Sequence, residues 1–401
     1  MKILVLNCGS SSIKYQVIDM EGGAGVLLAK GIVERIGLPE GHLEHKPVGK
    51  SKFEVRQPIM DHTTGIALVV DALLDAEHGV LGSISEISAV GHRVAHGGEF
   101  FAASAVVDEQ VKANISSLFE IAPLHNPPAM EGILSIEKIL PGVGQVAVFD
   151  TSFHQTIPAE NYMFALPVKY YNKYRVRKYG FHGTSHRFVA QRACELYGVD
   201  FNNSKIVTCH VGNGGSITAV LNGKSYDTSM GFSPLDGLVM GTRCGNVDAS
   251  AITFIGSKEG MSYDELNSMM NKESGVWGLT DGLSSDMRDI DKAYAEGNEL
   301  AIIAREMYYE RIKKFIGQYA AEMCGLDMII FTGGVGENSA EMREQACRGL
   351  EFMGVEFDVE GNVGVRGVDK ILSKPESKVK VAVIPTDEEL VIATDTYNLL
   401  K

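Results

Sequence analysis

The chain has 401 residues, room for roughly two to three domains, and its 45% hydrophobic and 22% charged content is that of an ordinary globular protein. A net charge of −14 argues against nucleic acid or an anionic membrane as partner. No apolar run approaches the ~20 residues of a membrane span, and the first strand signal follows Met1-Lys2 directly, leaving no room for a signal peptide. The six cysteines form no CxxC pair and read as reduced thiols of a cytoplasmic protein, not a disulfide frame or zinc site.

Strand and helix signals alternate along the whole chain with no low-complexity linker, so the class is α/β. Ile3–Ile18 and Ile206–Leu221 each read as a β-hairpin, a β-branched run entering a Gly/Ser/Asn-rich turn and leaving as another apolar strand. Ser12-Ile13 falls on Ser216-Ile217, an offset of 204 (216 minus 12), about half the chain. Small residues let backbone N–H groups approach an anion, and hydroxyls add donors. A matched pair of such turns predicts a duplicated fold with two turns facing one polyphosphate. Between them lie predicted strands at 89–95 and 145–149, and a domain change near Thr151. Apolar spacing predicts a long helix over 299–323, with Ile312, Phe315, Ile316, Tyr319 and Met323 on one face. That face suits either the core or a dimer interface, and a homodimer is the expected assembly. A buried strand over Met328–Thr332 enters a predicted turn, Gly333–Asn338, and Asn338 with Glu341 is the expected N-capping pair of a helix ending near Leu350. A strand at 379–384 and a last helix from Asp387 to Leu400 close the chain, that helix packing back on the first domain. The expected domains are 1–150 plus 386–401, and 151–385.

Two common phosphate-binding devices are excluded. Gly49-Lys50-Ser51 and Gly223-Lys224-Ser225 lack the P-loop's first glycine, having Glu44 and Thr218 there. Gly212-Asn213-Gly214 and Gly334-Val335-Gly336 fail the dinucleotide fingerprint at Ile217 and Ser339. Phosphate must be held by hairpin turns instead.

Several short constellations bear chemistry. In Gly91–Gly98, strand alternation puts Arg93 and Ala95 on one face, a guanidinium fork beside a small apolar hollow that suits a short carboxylate. Asp150 directly follows an apolar strand, where α/β sites place catalytic groups. The segment Arg177–Arg187 concentrates cations, with glycines flanking Phe181-His182, and reads as an anion site. Arg243 sits between Gly241 and Gly245, suited to clamp a transferring phosphoryl group. Asp286–Arg288 and Gly333–Asn338 suit a nucleotide base and ribose, and Thr386–Glu389 suits either helix-end charge complementarity or a metal contact.

Taken together, LNCGSSSIKYQ, GHRVAHGGE, APLHNPPAMEG, VFDTSFHQTIP, RKYGFHGTSH, HVGNGGS, MGFSPLDGLVMGTRCG, FTGGVGENS and IPTDEEL resemble the acetokinase family of the actin-like sugar-kinase superfamily. The resemblance runs from Met1 to the final helix. It implies two duplicated actin-like (ribonuclease H-like) domains facing a nucleotide cleft, and Mg-dependent phosphoryl transfer between ATP and acetate, with Mn²⁺ able to substitute. It implies Asn7 and Glu388 at the Mg²⁺, and Lys14, Ser10 and Ser12 at the nucleotide phosphates. His210, Val211, Gly212, Asn213 and Gly214 would bind ATP, as would Asp286, Met287, Arg288, Gly333, Gly334, Val335, Gly336, Glu337 and Asn338. Arg93 would bind acetate in a pocket lined by Ala95, Leu124, Phe181 and Pro234, while Asp150, His182 and Arg243 would be catalytic. Cys8 and Gly215 are harmless departures. Family members usually carry valine at Ala95 and commonly asparagine at Ala129. Ala95 enlarges the pocket by about two methyl groups, which makes propionate kinase the runner-up reading.

A carboxylate acceptor is already ionised near pH 7, so no general base is needed. Catalysis reduces to positioning and charge neutralisation, and Asp150 is expected to orient Arg93, Arg243 or the metal. Two hairpin-bearing domains imply closure that expels water. The remaining alternative is an actin-like switch ATPase, which has no use for the Arg93–Ala95 acceptor hollow.

Overall fold

The computed structural model describes residues 1–401, and the chain divides into two compact units, Met1–Gln155 with Asp387–Lys401, and Thr156–Thr386. No helix is long and apolar enough to cross a membrane.

The first unit is built on an eight-stranded sheet of order β5-β4-β3-β2-β1-β6-β8-β7. Its strands are β1 (Lys2–Cys8), β2 (Ser12–Asp19), β3 (Val26–Glu34), β4 (Gly41–Pro47), β5 (Phe53–Gln57), β6 (Ile87–Val94), β7 (Ala105–Val106) and β8 (Gly144–Phe149). β1, β2 and β3 run antiparallel as a meander, while β6 and β8 add parallel to β1. Helices cover both faces, so the central strands are apolar without alternation. Leu4, Leu6, Ile13 and Tyr15 share a core with Ile66 and Val69 of α1 (His62–Leu74) and Ile136 of α2 (Asn126–Ile139). Ile3, Val5, Ala89 and Val148 pack on the other side against Ile392 and Ala393 of the C-terminal helix, Glu388–Leu400. That helix comes so close to β6 that a Cβ at Gly91 would lie 2.6 Å from the Ile392 side chain and 2.5 Å from the Thr396 hydroxyl. The expected return of the C-terminal helix to the first domain is therefore observed.

The second unit repeats the plan. Its sheet order is β11-β10-β9-β12-β14-β13, from β9 (Lys205–Val211), β10 (Gly215–Leu221), β11 (Lys224–Thr228), β12 (Met328–Thr332), β13 (Lys370–Ile371) and β14 (Lys380–Val383). β9, β10 and β11 form an antiparallel meander, and β12 and β14 add in parallel. The inner order meander-then-parallel is that of β3-β2-β1-β6-β8, which establishes the duplicated α/β architecture. The hairpins are not copies, however. Cys8 pairs with Ile13 across Gly9–Ser12, whereas Val211 pairs with Gly215 across Gly212–Gly214, a turn one residue shorter.

Helix α3 (Gly183–Tyr197) packs on β9 and β12. Helix α4 (Met287–Ala295) precedes the long α5 (Glu299–Glu322), whose Ile312, Phe315, Ile316 and Tyr319 are buried in the unit's own core along with Met323. Of the two readings of that face, the core reading is the correct one. Two expectations need correcting. Gly333–Asn338 is a short helix, α6, not an open turn. The cap of the next helix, α7 (Ala340–Cys347), is Ser339, whose hydroxyl accepts from the Met342 N–H at 3.2 Å. Asn338 is the last residue of α6, and Ser339 is the residue whose extended backbone opens α7; Glu341 is paired with Arg305.

Candidate active site

In the first unit the parallel register of β6 and β8 sets Val94 opposite Phe149, so the residues at and just past the strand ends converge. Arg93 donates from Nε to Asp150 Oδ1 at 3.1 Å and from Nη2 to Oδ2 at 2.5 Å, and from Nη1 to Asn7 Oδ1 at 3.3 Å. The fork is side-on and bidentate, 57 residues apart in sequence. A guanidinium carries five N–H donors; these contacts use three and leave one on Nη1 and one on Nη2. Asp150 is 1% exposed and Arg93 28%. Burial pushes the Asp150 carboxyl up, the Arg93 guanidinium pulls it back, and the Glu388 charge pushes it up again; the net shift is upward. The charges of Asp150, Glu388 and Glu389 all favour the Arg93 cation.

Residues that bear no sequence signal hold the segment after β6. The buried Asn126 side chain accepts from the His96 N–H and donates to the His96 carbonyl, and the Thr151 hydroxyl accepts from the Gly97 N–H at 2.9 Å. Ala95 is buried and Leu124 exposed. On the first hairpin, Gly9 closes its turn onto the Ser12 carbonyl, and His62 reaches from the Gly9 carbonyl at 2.8 Å to Glu131 at 2.7 Å. Ser10 and Lys14 are exposed, and Lys14 stands opposite Asn7 across the β1–β2 ladder.

In the second unit the glycine-rich turn is held from three sides. Gly212 N–H closes on the Gly214 carbonyl, Gly241 N–H donates to the Asn213 carbonyl at 3.0 Å, and the Tyr308 hydroxyl of α5 donates to the Gly212 carbonyl at 3.4 Å. A Cβ on Gly241 would sit 2.0 Å from Asn213 Oδ1, so a larger residue there would displace the Asn213 side chain. Arg243 Nη1 reaches the Pro234 carbonyl at 3.3 Å. No carboxylate lies within ion-pair distance of it, and burial lowers its pKa. A half-buried guanidinium with a carbonyl for its partner keeps donors that an anion can take.

His182 has left-handed φ, +56°, at the start of α3. It stacks on His210 at 4.3 Å between centroids. Its Nδ1 is 2.8 Å from Ser216 Oγ. Arg177 and Lys178, part of the cluster read as an anion site, are engaged elsewhere: Arg177 stacks 3.6 Å over Tyr162 and Lys178 pairs with Asp227. Asp286 caps α4 and is held by Arg288, which lowers its carboxyl to about 2. Glu337 folds back within its own unit, accepting from the Gly333 and Thr386 N–H groups. Phe181 is buried in the core and Pro234 half-buried. A cavity of about 440 Å³, lined by Cys244, Glu273, Met307 and Arg311 among others, holds none of the candidate catalytic or binding residues.

The family model described as the acetokinase family matches residues 2–394. The chain belongs to the acetokinase family. An acetate kinase of Phocaeicola vulgatus is 53% identical over 401 residues, and one of Alkaliphilus metalliredigens 51% over 400, each covering all of both chains. Among solved structures, Porphyromonas gingivalis acetate kinase matches with TM-score 0.96 at 48% identity over the full length of both chains. A propionate kinase from Francisella tularensis matches with TM-score 0.90 at 38% identity over 99% of each. Within the acetokinase family, then, the described residues contain both an arginine fork and an arginine without a carboxylate partner.

Proposed function

We propose that this chain is an acetate kinase, catalysing ATP + acetate ⇌ ADP + acetyl phosphate. Its full-length likeness to acetokinase-family acetate kinases supports the reading, and the Arg93 fork carries it: a guanidinium oriented by Asp150, with two N–H donors left, two residues before the small Ala95. Two donors match the two oxygens of one carboxylate. The acceptor attacks as the carboxylate, with no proton to remove, so Asp150 works by holding Arg93. In the first unit Ala95 and Leu124 offer apolar surface to the acceptor, and Lys14, Ser10 and Ser12 hold phosphate. In the second unit Arg243 and His182 donate to the phosphoryl oxygens, Phe181 and Pro234 offer apolar surface, and the 210–214 turn holds phosphate. Asp286–Arg288 and Gly333–Asn338 hold the nucleoside.

Asn7 and Glu388 offer hard oxygen donors, and the Glu388 charge that helps to raise the Asp150 carboxyl is one a cation would offset, which fits Mg²⁺ or Mn²⁺. Asn7 and Glu388 would hold the ion; bound, it would neutralise phosphate charge. A homodimer in the cytoplasm completes the proposal. The test adds hydroxylamine to protein, Mg-ATP and acetate, trapping acyl phosphate as a hydroxamate. Acetate-dependent hydroxamate is expected; ATP hydrolysis without it would point to a switch ATPase.

A further inference from the structure

Behind His182 lies a chain of buried hydrogen bonds that no sequence signal announces. Ser216 Oγ is 2.8 Å from His182 Nδ1 and 2.7 Å from His186 Nε2, and His186 Nδ1 is 2.7 Å from Thr208 Oγ1. Thr208 Oγ1 is also 3.5 Å from the Thr218 carbonyl. Thr208, His186 and Ser216 are all fully buried. Two of the chain's links are written in the fold: β9 and β10 carry Thr208 and Ser216, while His182 and His186 sit one turn apart at the start of α3.

Counting protons gives this chain a direction. Each hydroxyl has one proton to donate, and a neutral imidazole has one N–H and one bare nitrogen. Ser216 can therefore donate to only one of its two imidazoles and must accept from the other, which couples the two rings. Thr208 decides the sense. Its proton goes to His186 Nδ1 at 2.7 Å, because the competing 3.5 Å contact is at the limit of a hydrogen bond. His186 is then protonated on Nε2 and donates to Ser216, and Ser216 donates to His182 Nδ1. His182 is left carrying its proton on Nε2.

We propose that Thr208, His186 and Ser216 are positioning residues that fix His182 as the Nε2–H tautomer, a donor toward the phosphoryl oxygens. The inference rests on the reading of His182 as a transition-state donor. The opposite sense would present a lone pair to developing negative charge. His210, stacked on the same ring, holds its orientation and is itself tied by Nδ1 to Ser185 Oγ at 2.7 Å. The arrangement is the counterpart of the outer-shell groups that set the tautomer of metal-bound histidines.

The experiment is ¹⁵N NMR of the full chain labelled at histidine, in which protonated and bare ring nitrogens are distinguished by shift, with His182→Gln assigning the signal. Wild type should show His182 as Nε2–H. Ser216→Ala, which leaves His182 Nδ1 without its donor, and Thr208→Val, which removes the group that sets the sense, should each yield a tautomer mixture. Both should lower kcat by about 10-fold, the lower end of the cost of losing an outer-shell partner, with KM for acetate and ATP unchanged. His186→Gln, whose amide can donate to Ser216 and accept from Thr208, should retain tautomer and kcat. Wild-type His182 protonated on Nδ1, or an unchanged tautomer in both variants, overturns the proposal; the wild-type spectrum decides even where a variant does not fold. Hydroxamate formation by wild type keeps the two readings apart. A protein that makes hydroxamate with the wrong tautomer fails the relay alone. One that makes none fails the kinase reading and, with it, the purpose assigned to the relay.

Discussion

Replacing Asp150 by asparagine separates orientation from charge at the acceptor site. The substitution preserves shape but turns one of the two acceptors facing Arg93 into a donor. Of the contacts at 3.1 Å and 2.5 Å, one survives and the other becomes N–H against N–H. The guanidinium, still tethered to Asn7 at 3.3 Å, loses its planar reference and swings away from the acceptor. Loss of one preorganised donor to developing charge costs ~10²–10³ in rate, or ~2.7–4 kcal/mol, and here the ground-state carboxylate is released as well. Acetate KM should therefore rise and kcat fall, together lowering kcat/KM by at least ~10²-fold. Stability should respond far less. Removing one partner of a buried pair costs about 3–5 kcal/mol when the other charge is stranded, but Arg93 is 28% exposed and reaches water, while burial opposes ionisation of Asp150. A loss below about 2 kcal/mol in urea unfolding is expected. The assays are hydroxamate kinetics across acetate concentration and equilibrium unfolding. An Asp150→Asn protein with unchanged acetate KM would refute the orienting role.

Arg243→Ala should act mainly on kcat, by ~10²–10³, without lowering Tm, since the half-buried cation has no carboxylate partner to lose; a raised acetate KM with unchanged kcat would contradict this. Ala95→Val should raise the preference for acetate over propionate by ~10–200-fold in kcat/KM, the range for a methylene in an apolar pocket; an unchanged ratio would show that another residue forms the wall. Stability should also fall in acid through the histidines. Burial pushes His92, bonded to Gln145 Oε1 at 2.7 Å, down to about 4, and His96 likewise to about 4. The folded state then binds fewer protons than the unfolded state between an ordinary histidine's ~6.5 and about 4. The stability each neutral ring contributes is present above ~6.5 and lost as pH falls through about 4, roughly 3 kcal/mol apiece. His92→Gln should remove one proton from the slope of unfolding free energy against pH in that window, and an unchanged slope would show His92 to be accessible to protonation in the folded state.

The duplicated architecture was legible because both hairpins pair β-branched runs across small-residue turns, a short-range signal. The long helix was legible because its apolar residues keep one spacing over many turns. What the sequence hid is set by register and by competition for hydrogen bonds. Asn338 looks like a cap, yet it ends α6 and Ser339, in extended conformation, takes the cap. Gly333–Asn338 looks like a turn because of its glycines, but Glu337 satisfies the Gly333 N–H and lets a helix start. Asp150 is expected from the sequence to orient Arg93, Arg243 or the metal, and that it takes Arg93 depends on β6 lying beside β8 in parallel. Asn126 and Thr151 carry no chemical signature and act only through backbone groups they hold. The His182–Ser216–His186–Thr208 chain brings two strands of a hairpin to one helix end, a juxtaposition that no local pattern announces.

The central claim is that an acetate carboxylate attacks the terminal phosphoryl group. ³¹P NMR of the product formed from Mg-ATP and acetate labelled with ¹⁸O in its carboxyl group tests this directly. The account predicts an acyl phosphate whose phosphorus signal carries the isotope shift of one ¹⁸O bridge, the acceptor's own oxygen. Inorganic phosphate appearing without label and without an acyl phosphate signal would mean that water is the acceptor, and would contradict it.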